Sequence, residues 1–339
     1  MIRLSKIVFV SGALVCASAT LLAQSTPMSI PSTNYTLDES FFKMPMNRAI
    51  GSVAGIFIHP DQSSIWLFDR CGANNCVGSD LAPIMQFDLA GNLLQSFGQN
   101  MFIRPHSNFV DKEGNVWVAD GEGPNGEDSR RDGKGHQVFK FSSSGELLMT
   151  LGKAGQPGDG PDEFNQPSSV YVAPNGDIFV GDGHGGASNA RIMKFDATGK
   201  FLLNWGSRGE EPGNFHTPHA LAMDSQGRLY VGDRGNNRLQ IFDQQGNFID
   251  QWRQFGRPSG MYIDDNDILY VTDSSSSPQT NPGFERGIRI GSVHDDGEVL
   301  EFIDDPSEIG TQEGVIADAE GNVYGSLTGG MALRKYSRK

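Results

Sequence analysis

Short apolar runs that alternate with polar residues recur along the whole chain, and turn residues separate them. One phrase joins an apolar strand, a tight turn and a second apolar strand that usually ends in Asp. It covers residues 107–120, 169–182, 220–233 and 260–273, and weaker copies cover residues 55–69 and 314–327. A second hairpin follows, as at residues 136–152, 190–206 and 237–252. Each copy therefore predicts four short antiparallel strands.

Six copies of this unit predict an all-β fold, a six-bladed β-propeller. A four-stranded sheet cannot bury both faces alone, whereas sheets arranged around an axis bury them against their neighbours. The last copy reaches Lys339 after three strands, so we expect a strand near residues 40–46 to complete it and close the ring. Residues 40–339 then form a single propeller, preceded by an irregular lead-in at residues 24–39. The repeats resemble NHL repeats.

The first residues have the pattern of a secretory signal peptide, which we assign to residues 1–23. Arg3 and Lys6 precede an apolar stretch, and a cleavage site fits after Ala19 or after Ala23. A transmembrane anchor is the alternative, but this stretch is shorter than the about 20 apolar residues of a spanning helix. We therefore expect a periplasmic or extracellular protein that is not inserted in a membrane once the signal is removed.

The composition limits the classes of partner that the protein is expected to bind. The chain has 27 basic and 41 acidic residues and a net charge of −14, which argues against nucleic acid or an anionic membrane as a partner. Cys71 and Cys76 remain after the signal is removed, and an oxidising compartment favours a disulfide between them. A C-x4-C metal pair is the alternative, although no further Cys is left to complete a thiolate site. We expect the protein to be a monomer.

Two histidines occupy the same position in two repeats. His106 and His219 each follow a Pro at the start of an inner strand, two blades apart, so both should face the central funnel. The same position holds Ser168, Ser259 and, in the last blade, Glu313. Two His and one Glu from alternate blades would make a three-ligand metal site with an open position for water. The alternative is that the histidines only form hydrogen bonds in a polar funnel.

Several segments are similar to peptidyl-α-hydroxyglycine α-amidating lyase. They are LFDR with Arg70, RPHSNFVDKEGNVWVAD with His106, QPSSVYV followed by GDG and NARI, and TPHALAMDSQGRLYVGDRGNNRLQIF with His219. The resemblance implies a six-bladed propeller with zinc in the funnel that cleaves a carbinolamide to an amide and glyoxylate. It also implies that His106 and His219 are two of three zinc ligands, and that Arg70 binds or polarises the substrate.

The resemblance breaks at two sites. Gln312-Glu313-Gly314 stands where the family has Pro-His-Asp, so Glu313 becomes the expected third ligand. The Asp of that triplet holds a structural calcium in the family, and Gly314 has no carboxylate to replace it. His184 stands where the family has a catalytic Tyr, and a His can act as a general base at neutral pH.

Three functions follow as expectations. The first is a secreted, metal-dependent lyase that takes a small-molecule or peptide substrate into the central funnel, with zinc as the metal and calcium as a further cation. The second is a non-catalytic propeller that binds a peptide, a glycan or an envelope protein. The third is a calcium-dependent, lactonase-type hydrolase. Asp120, Asp182, Asp233 and Asp273 end their strands; we expect them to bind turn backbone, with a calcium-binding carboxylate ring as the alternative.

Overall fold

A computed structural model describes residues 30–294, 296–305 and 311–339 of the chain. The predicted signal peptide, residues 1–23, lies outside the described residues, as do residues 24–29 of the predicted lead-in. Among the described residues, no helix is long and apolar enough to cross a lipid bilayer. The helices of this part of the chain are two single 3₁₀ turns, Ser129–Arg131 and Arg234–Asn236.

The described residues form six antiparallel sheets of four strands each. Their strands, in chain order, are β1 (Tyr35–Asp38), β2 (Val53–Ile58), β3 (Ser64–Asp69), β4 (Ile84–Asp88), β5 (Leu93–Phe97), β6 (Pro105–Val110), β7 (Val116–Asp120), β8 (Gln137–Phe141), β9 (Leu147–Leu151), β10 (Pro167–Val172), β11 (Ile178–Asp182), β12 (Arg191–Phe195), β13 (Phe201–Trp205), β14 (Pro218–Met223), β15 (Leu229–Asp233), β16 (Arg238–Phe242), β17 (Phe248–Trp252), β18 (Pro258–Ile263), β19 (Ile268–Asp273), β20 (Gly287–Ser292), β21 (Val299–Asp304), β22 (Gln312–Ala317), β23 (Val323–Leu327) and β24 (Leu333–Arg338).

The sheets are the blades of a propeller, as the repeats predict. Blades 1 to 5 are β2–β5, β6–β9, β10–β13, β14–β17 and β18–β21, and blade 6 is β22–β24 with β1. The inner strands β2, β6, β10, β14, β18 and β22 contact one another in turn, and β22 contacts β2 again. The six-bladed, ring-closed architecture is therefore confirmed.

The strand that closes the ring lies earlier in the chain than the pattern predicts. β1 pairs with β24 in the register Tyr35↔Arg338, so the strand belongs to the predicted lead-in and the expected position near residues 40–46 is wrong. Two consecutive phenylalanines at 41 and 42 explain the difference, because both rings turn towards the core. Phe41 packs 5.5 Å from Tyr324 of blade 6, and Phe42 packs 5.2 Å from Phe87 of blade 1.

The hydrophobic core lies between the blades. The second strand of every blade contributes one large aromatic residue that is fully or almost fully buried: Trp66, Trp117, Phe179, Tyr230, Tyr270 and Tyr324. Trp66, for example, shares a cluster with Val110 and Phe139 of the next blade. Burial of such a ring contributes roughly 1.5–3 kcal/mol, so the packing between blades stabilises the ring as a whole.

The Asp that ends each of the first five second strands is fully buried and binds backbone. Asp120 accepts hydrogen bonds from the backbone N–H of Arg104 at 2.7 Å, and Asp182 from that of Asn165 at 2.8 Å. Asp233 accepts one from His216 at 2.8 Å and forms an ion pair with Arg238 at 3.0 Å. These contacts fix the loop before each inner strand. They account for the carboxylates without a calcium ion, and they hold in place the strand ends that carry the candidate site.

Candidate metal centre

A one-residue register shift occurs at the start of every inner strand. In blade 2, Pro105 pairs with Asp120 and Ser107 with Ala119, so His106 is left unpaired between them. The same shift leaves one residue unpaired in each of the other blades: Ala54, Ser168, His219, Ser259 and Glu313. A bulged residue bends its strand and re-aims its side chain. This local geometry turns one side chain per blade towards the propeller axis.

Blades 2, 4 and 6 supply the bulged residues whose side chains can bind a metal ion or a proton. The imidazole centroids of His106 and His219 are 4.6 Å apart. Oε1 of Glu313 lies 3.1 Å from Nε2 of His219 and 4.0 Å from Nε2 of His106. All three residues are buried. The structure therefore brings together the three residues that the sequence predicts as metal ligands.

His184 joins them from the loop that follows β11. Its Nε2 lies 3.2 Å from Nε2 of His219, and its ring centroid lies 4.5 Å from that of His106. The donor atoms of His106, His184 and His219 all lie within 4.8 Å of one another. Gly183 allows this path, because its φ is 140° and a Cβ would clash with the carbonyl oxygen of Asn189. The predicted general base therefore lies among the candidate ligands.

Backbone carbonyls orient two of the rings. Nδ1 of His106 donates to the carbonyl oxygen of Ser168 at 2.8 Å, and Nδ1 of His219 donates to that of Ser259 at 2.6 Å. A carbonyl oxygen only accepts, so Nδ1 carries the proton and Nε2 of the neutral ring carries a lone pair. Burial, together with the charge on neighbouring histidines, holds the pKa of His106 and of His184 well below its usual value. The imidazoles of His106 and His184 are therefore neutral, as a histidine must be to bind a metal ion.

Glu313 is an anion in this setting. Burial acts to raise the pKa of Glu313, whereas the charges of Arg234 and Arg70 act to lower it, and the balance leaves that pKa below its usual value. Nη1 of Arg234 lies 3.4 Å from Oε1 of Glu313, and Nη2 lies 3.4 Å from Nε2 of His184. Guanidinium groups therefore border the side of the cluster that holds the carboxylate.

Arg70 lies buried beside the same cluster. Its Nε donates to the carbonyl oxygen of Pro105 at 3.0 Å, and its Nη1 donates to Oδ1 of Asn74 at 2.8 Å. A disulfide between Cys71 and Cys76 closes the loop that contains Asn74. Burial lowers the pKa of Arg70 to about 10, so the side chain stays charged at neutral pH.

Arg234 is the site residue that the sequence reasoning missed, although the repeat contains a signal for it. Arg70 directly follows Asp69, which ends the second strand of blade 1. Arg234 directly follows Asp233, which ends the second strand of blade 4. The two arginines hold the same position in two repeats, as His106 and His219 do. Aligning the repeats at the strand-end Asp therefore points to both.

The donor set fits a divalent metal ion that prefers imidazole. Tetrahedral zinc with Zn–N distances of about 2.0–2.1 Å places its ligand atoms roughly 3.3 Å apart. The 3.2 Å between Nε2 of His184 and Nε2 of His219 matches this separation. Lone pairs that face one another at such a distance repel unless a cation or a proton lies between them. His106, His184 and His219 thus form a group that could hold a metal ion, with a carboxylate next to it.

Comparison with known proteins agrees with the repeats. The NHL repeat model matches residues 215–242, which include His219 and Arg234. Peptidyl-glycine alpha-amidating monooxygenase B of Xenopus laevis is 32% identical over 327 residues, covering 86% of this chain and 34% of that protein. Peptidyl-alpha-hydroxyglycine alpha-amidating lyase 1 of Drosophila melanogaster is 38% identical over 175 residues, covering 48% of this chain and 29% of that protein. The resemblance to the amidating lyases is confirmed.

The chain matches only part of the length of these relatives. The chain spans about a third of the length of the Xenopus relative. Among solved structures, a streptogramin B lyase has a TM-score of 0.58 at 16% identity, covering 90% of this chain and 98% of that one. That likeness concerns the propeller fold alone. The chain is thus a six-bladed propeller that matches the NHL repeat over residues 215–242 and resembles the amidating lyases.

Proposed function

We propose that the protein is a metal-dependent lyase that cleaves the C–N bond of a carbinolamide-like substrate, as the names of its relatives suggest. The observation that carries the proposal is the convergence of three imidazole donors at the propeller axis, beside one carboxylate and two arginines. The predicted signal peptide and the disulfide support a periplasmic or extracellular location. We propose that the protein acts there as a monomer.

His106, His184 and His219 would hold the metal, and zinc suits three neutral imidazoles best. When bound, zinc polarises a substrate oxygen and lowers the pKa of a hydroxyl group. The carbonyls of Ser168 and Ser259 keep two of the rings in the required orientation. This assignment makes His184 a ligand rather than the general base that the sequence predicts. Glu313, predicted as a ligand, becomes the neighbour of the site.

Glu313 is then the group placed to accept a proton. It is an anion next to His219 and 4.0 Å from Nε2 of His106, so a substrate hydroxyl bound among these groups meets its carboxylate. Removing the hydroxyl proton lets the oxygen form a C=O bond while the C–N bond breaks. The amide nitrogen takes up the proton, so that the products are an amide and an aldehyde. No proton is gained or lost overall.

Arg70 and Arg234 give the site its preference for an anionic substrate. Both side chains are positively charged at neutral pH, and the charge of each acts on Glu313. A carboxylate on the carbinol carbon would pair with a guanidinium group, which binds carboxylates in a bidentate manner. The same contacts would stabilise negative charge that develops on the substrate oxygen. The aldehyde product of such a substrate is glyoxylate.

The test is glyoxylate release from an N-acyl-α-hydroxyglycine by the signal-free protein, purified without a His-tag and supplied with zinc. We expect turnover that falls at least about 100-fold in the His106→Ala/His219→Ala double variant. His294→Ala is the matched control, because His294 is half-exposed and distant in the repeat pattern from the axis. Turnover that survives the double variant would refute the metal mechanism. Bound zinc with no turnover of any carbinolamide would refute the substrate class and favour a binding propeller.

A further inference from the structure

The central channel has a second chamber at the end opposite the histidines. The fifth residue of four inner strands is aromatic: Phe57, Phe109, Tyr171 and Tyr262. Each of these residues lies three positions after the bulged residue of its strand, which is about 10 Å further along the strand. Blade 4 has Ala222 at this position, and blade 6 has Ile316. The repeat therefore builds an incomplete ring of aromatic side chains around the axis.

These four aromatic residues line a cavity of about 250 Å³, here named the lower chamber. Turns at the far ends of the inner strands form its rim, with Gln62, Lys112 and Asp265 among the rim residues. A smaller cavity lies on the side of His106, His219 and Glu313. Both cavities share the side chains of Phe57, Phe109, Leu221 and Met261. The two cavities therefore adjoin at this shared layer of residues.

The aromatic rings stand at an angle to one another instead of stacking. The centroids of Phe57 and Phe109 are 4.6 Å apart at 56°, and those of Phe109 and Tyr171 are 4.6 Å apart at 51°. Phe57 and Tyr262 are 5.9 Å apart at 80°. Phe57 and Tyr171 remain partly exposed, which leaves part of their surfaces available inside the channel. The rings pack against one another, and the faces that turn into the chamber are the surfaces that can bind a quaternary ammonium group.

The charge at the rim is negative. Asp265 lines the lower chamber, is exposed, and forms no ion pair within the part of the chain that the structure describes. The one rim lysine, Lys112, is already engaged. Its Nζ donates to the carbonyl oxygen of Pro174 at 2.7 Å and lies 3.8 Å from Glu113. A ligand that enters the chamber therefore meets π surfaces and one carboxylate without a partner.

We propose that the lower chamber binds a small organic cation with a quaternary ammonium head group. The aromatic ring supplies the cation–π contacts, and Asp265 supplies a carboxylate at the entrance. The ligand must be small, because the chamber is below the roughly 300–1,000 Å³ of pockets for drug-sized ligands. A neutral ligand gains nothing from the Asp265 carboxylate, whereas a cation is attracted to it. None of the residues that line the lower chamber is a candidate metal ligand, so neither proposal depends on the other.

Calorimetric titration with choline tests the proposal, with 3,3-dimethyl-1-butanol as its uncharged counterpart. We expect choline to bind and the neutral alcohol to bind at least about tenfold more weakly. Tyr262→Leu and Asp265→Asn should each weaken choline binding by roughly threefold to thirtyfold. Asp265→Asn changes an exposed side chain, so this variant remains informative if Tyr262→Leu fails to fold.

Two controls separate the chamber from the rest of the molecule. Asp196→Asn removes a carboxylate from an exposed turn of blade 3 and should leave choline binding unchanged. Protein stripped of metal should bind choline as well as the zinc-loaded protein does. The proposal is overturned if choline does not bind, if the neutral alcohol binds equally well, or if neither chamber variant weakens binding.

Discussion

Asp233→Asn should destabilise the propeller by several kcal/mol, because it breaks a buried ion pair. The Asp233 carboxylate is completely buried and lies 3.0 Å from Nε of Arg238, whose side chain is 1% exposed. It also accepts hydrogen bonds from Asn236 at 2.7 Å and from the backbone N–H of His216 at 2.8 Å. An amide can still accept from His216, but it leaves the guanidinium buried without a counter-charge. Removing one partner of a buried pair costs about 3–5 kcal/mol.

A melting curve followed by circular dichroism measures this loss. At roughly 2–4 °C per kcal/mol, Tm should fall by about 6–20 °C. The control is Asp196→Asn, since Asp196 also binds a turn, through the backbone N–H of Thr198 at 2.9 Å, but is partly exposed and not fully buried. That variant should lose at most about 1 kcal/mol.

The same experiment separates structure from calcium binding at the strand-end Asp residues. If Asp233 serves only the backbone and Arg238, a calcium-selective chelator leaves the Tm of the wild-type protein unchanged. A chelator that lowers Tm as much as Asp233→Asn does would show that the carboxylate ring binds calcium. A Tm of Asp233→Asn within about 2 °C of the Asp196→Asn value would refute the ion-pair reasoning.

Three further predictions concern the site. In metal-free protein, the folded-state pKa values of His106 and His184 lie below the unfolded value of 6.5, so stability that is present above that pH is lost as the pH falls below it. Urea unfolding across this pH range should therefore show a free energy of unfolding that depends less on pH in His106→Ala/His184→Ala than in the wild type. Gly183→Ala should reduce zinc content and turnover. Gly126→Ala carries a similar positive-φ strain in another loop, where its Cβ meets open space, and should not reduce either; equal zinc content in the two variants would contradict the loop argument. Replacing both disulfide cysteines by Ser should cost roughly 2 kcal/mol in urea unfolding and raise KM through Arg70, and an unchanged KM would contradict that link.

The repeats were sufficient to predict the blades, because every copy joins two apolar strands by a tight turn and five of the six copies end the second strand in Asp. The closing strand was misplaced, since β1 is short and Phe41 and Phe42 hide the alternation that marks a strand. Burial of both rings against Tyr324 and Phe87 comes from tertiary packing, which a local pattern does not record.

The candidate site also contains residues that the sequence could place and one that it could not. His106, His219 and Glu313 could be placed together because one bulge per blade aims the same position at the axis. His184 could not be placed, because its position depends on a glycine-rich loop with positive φ at Gly183, Gly185 and Gly186. Such a loop has no period from which a direction can be read. Arg234 was visible in the repeat alignment, but only the structure shows its contact with Glu313.

The most direct test of the account is the zinc content of the signal-free protein and of His184→Ala, measured by plasma mass spectrometry. With three histidines as ligands, the wild type and the His294→Ala control should hold about one zinc per chain. His184→Ala should lose most of it, because two imidazoles and a neighbouring carboxylate hold the ion less well. A wild type that binds no transition metal after reconstitution, or a His184→Ala variant that keeps its zinc in full, would contradict the account.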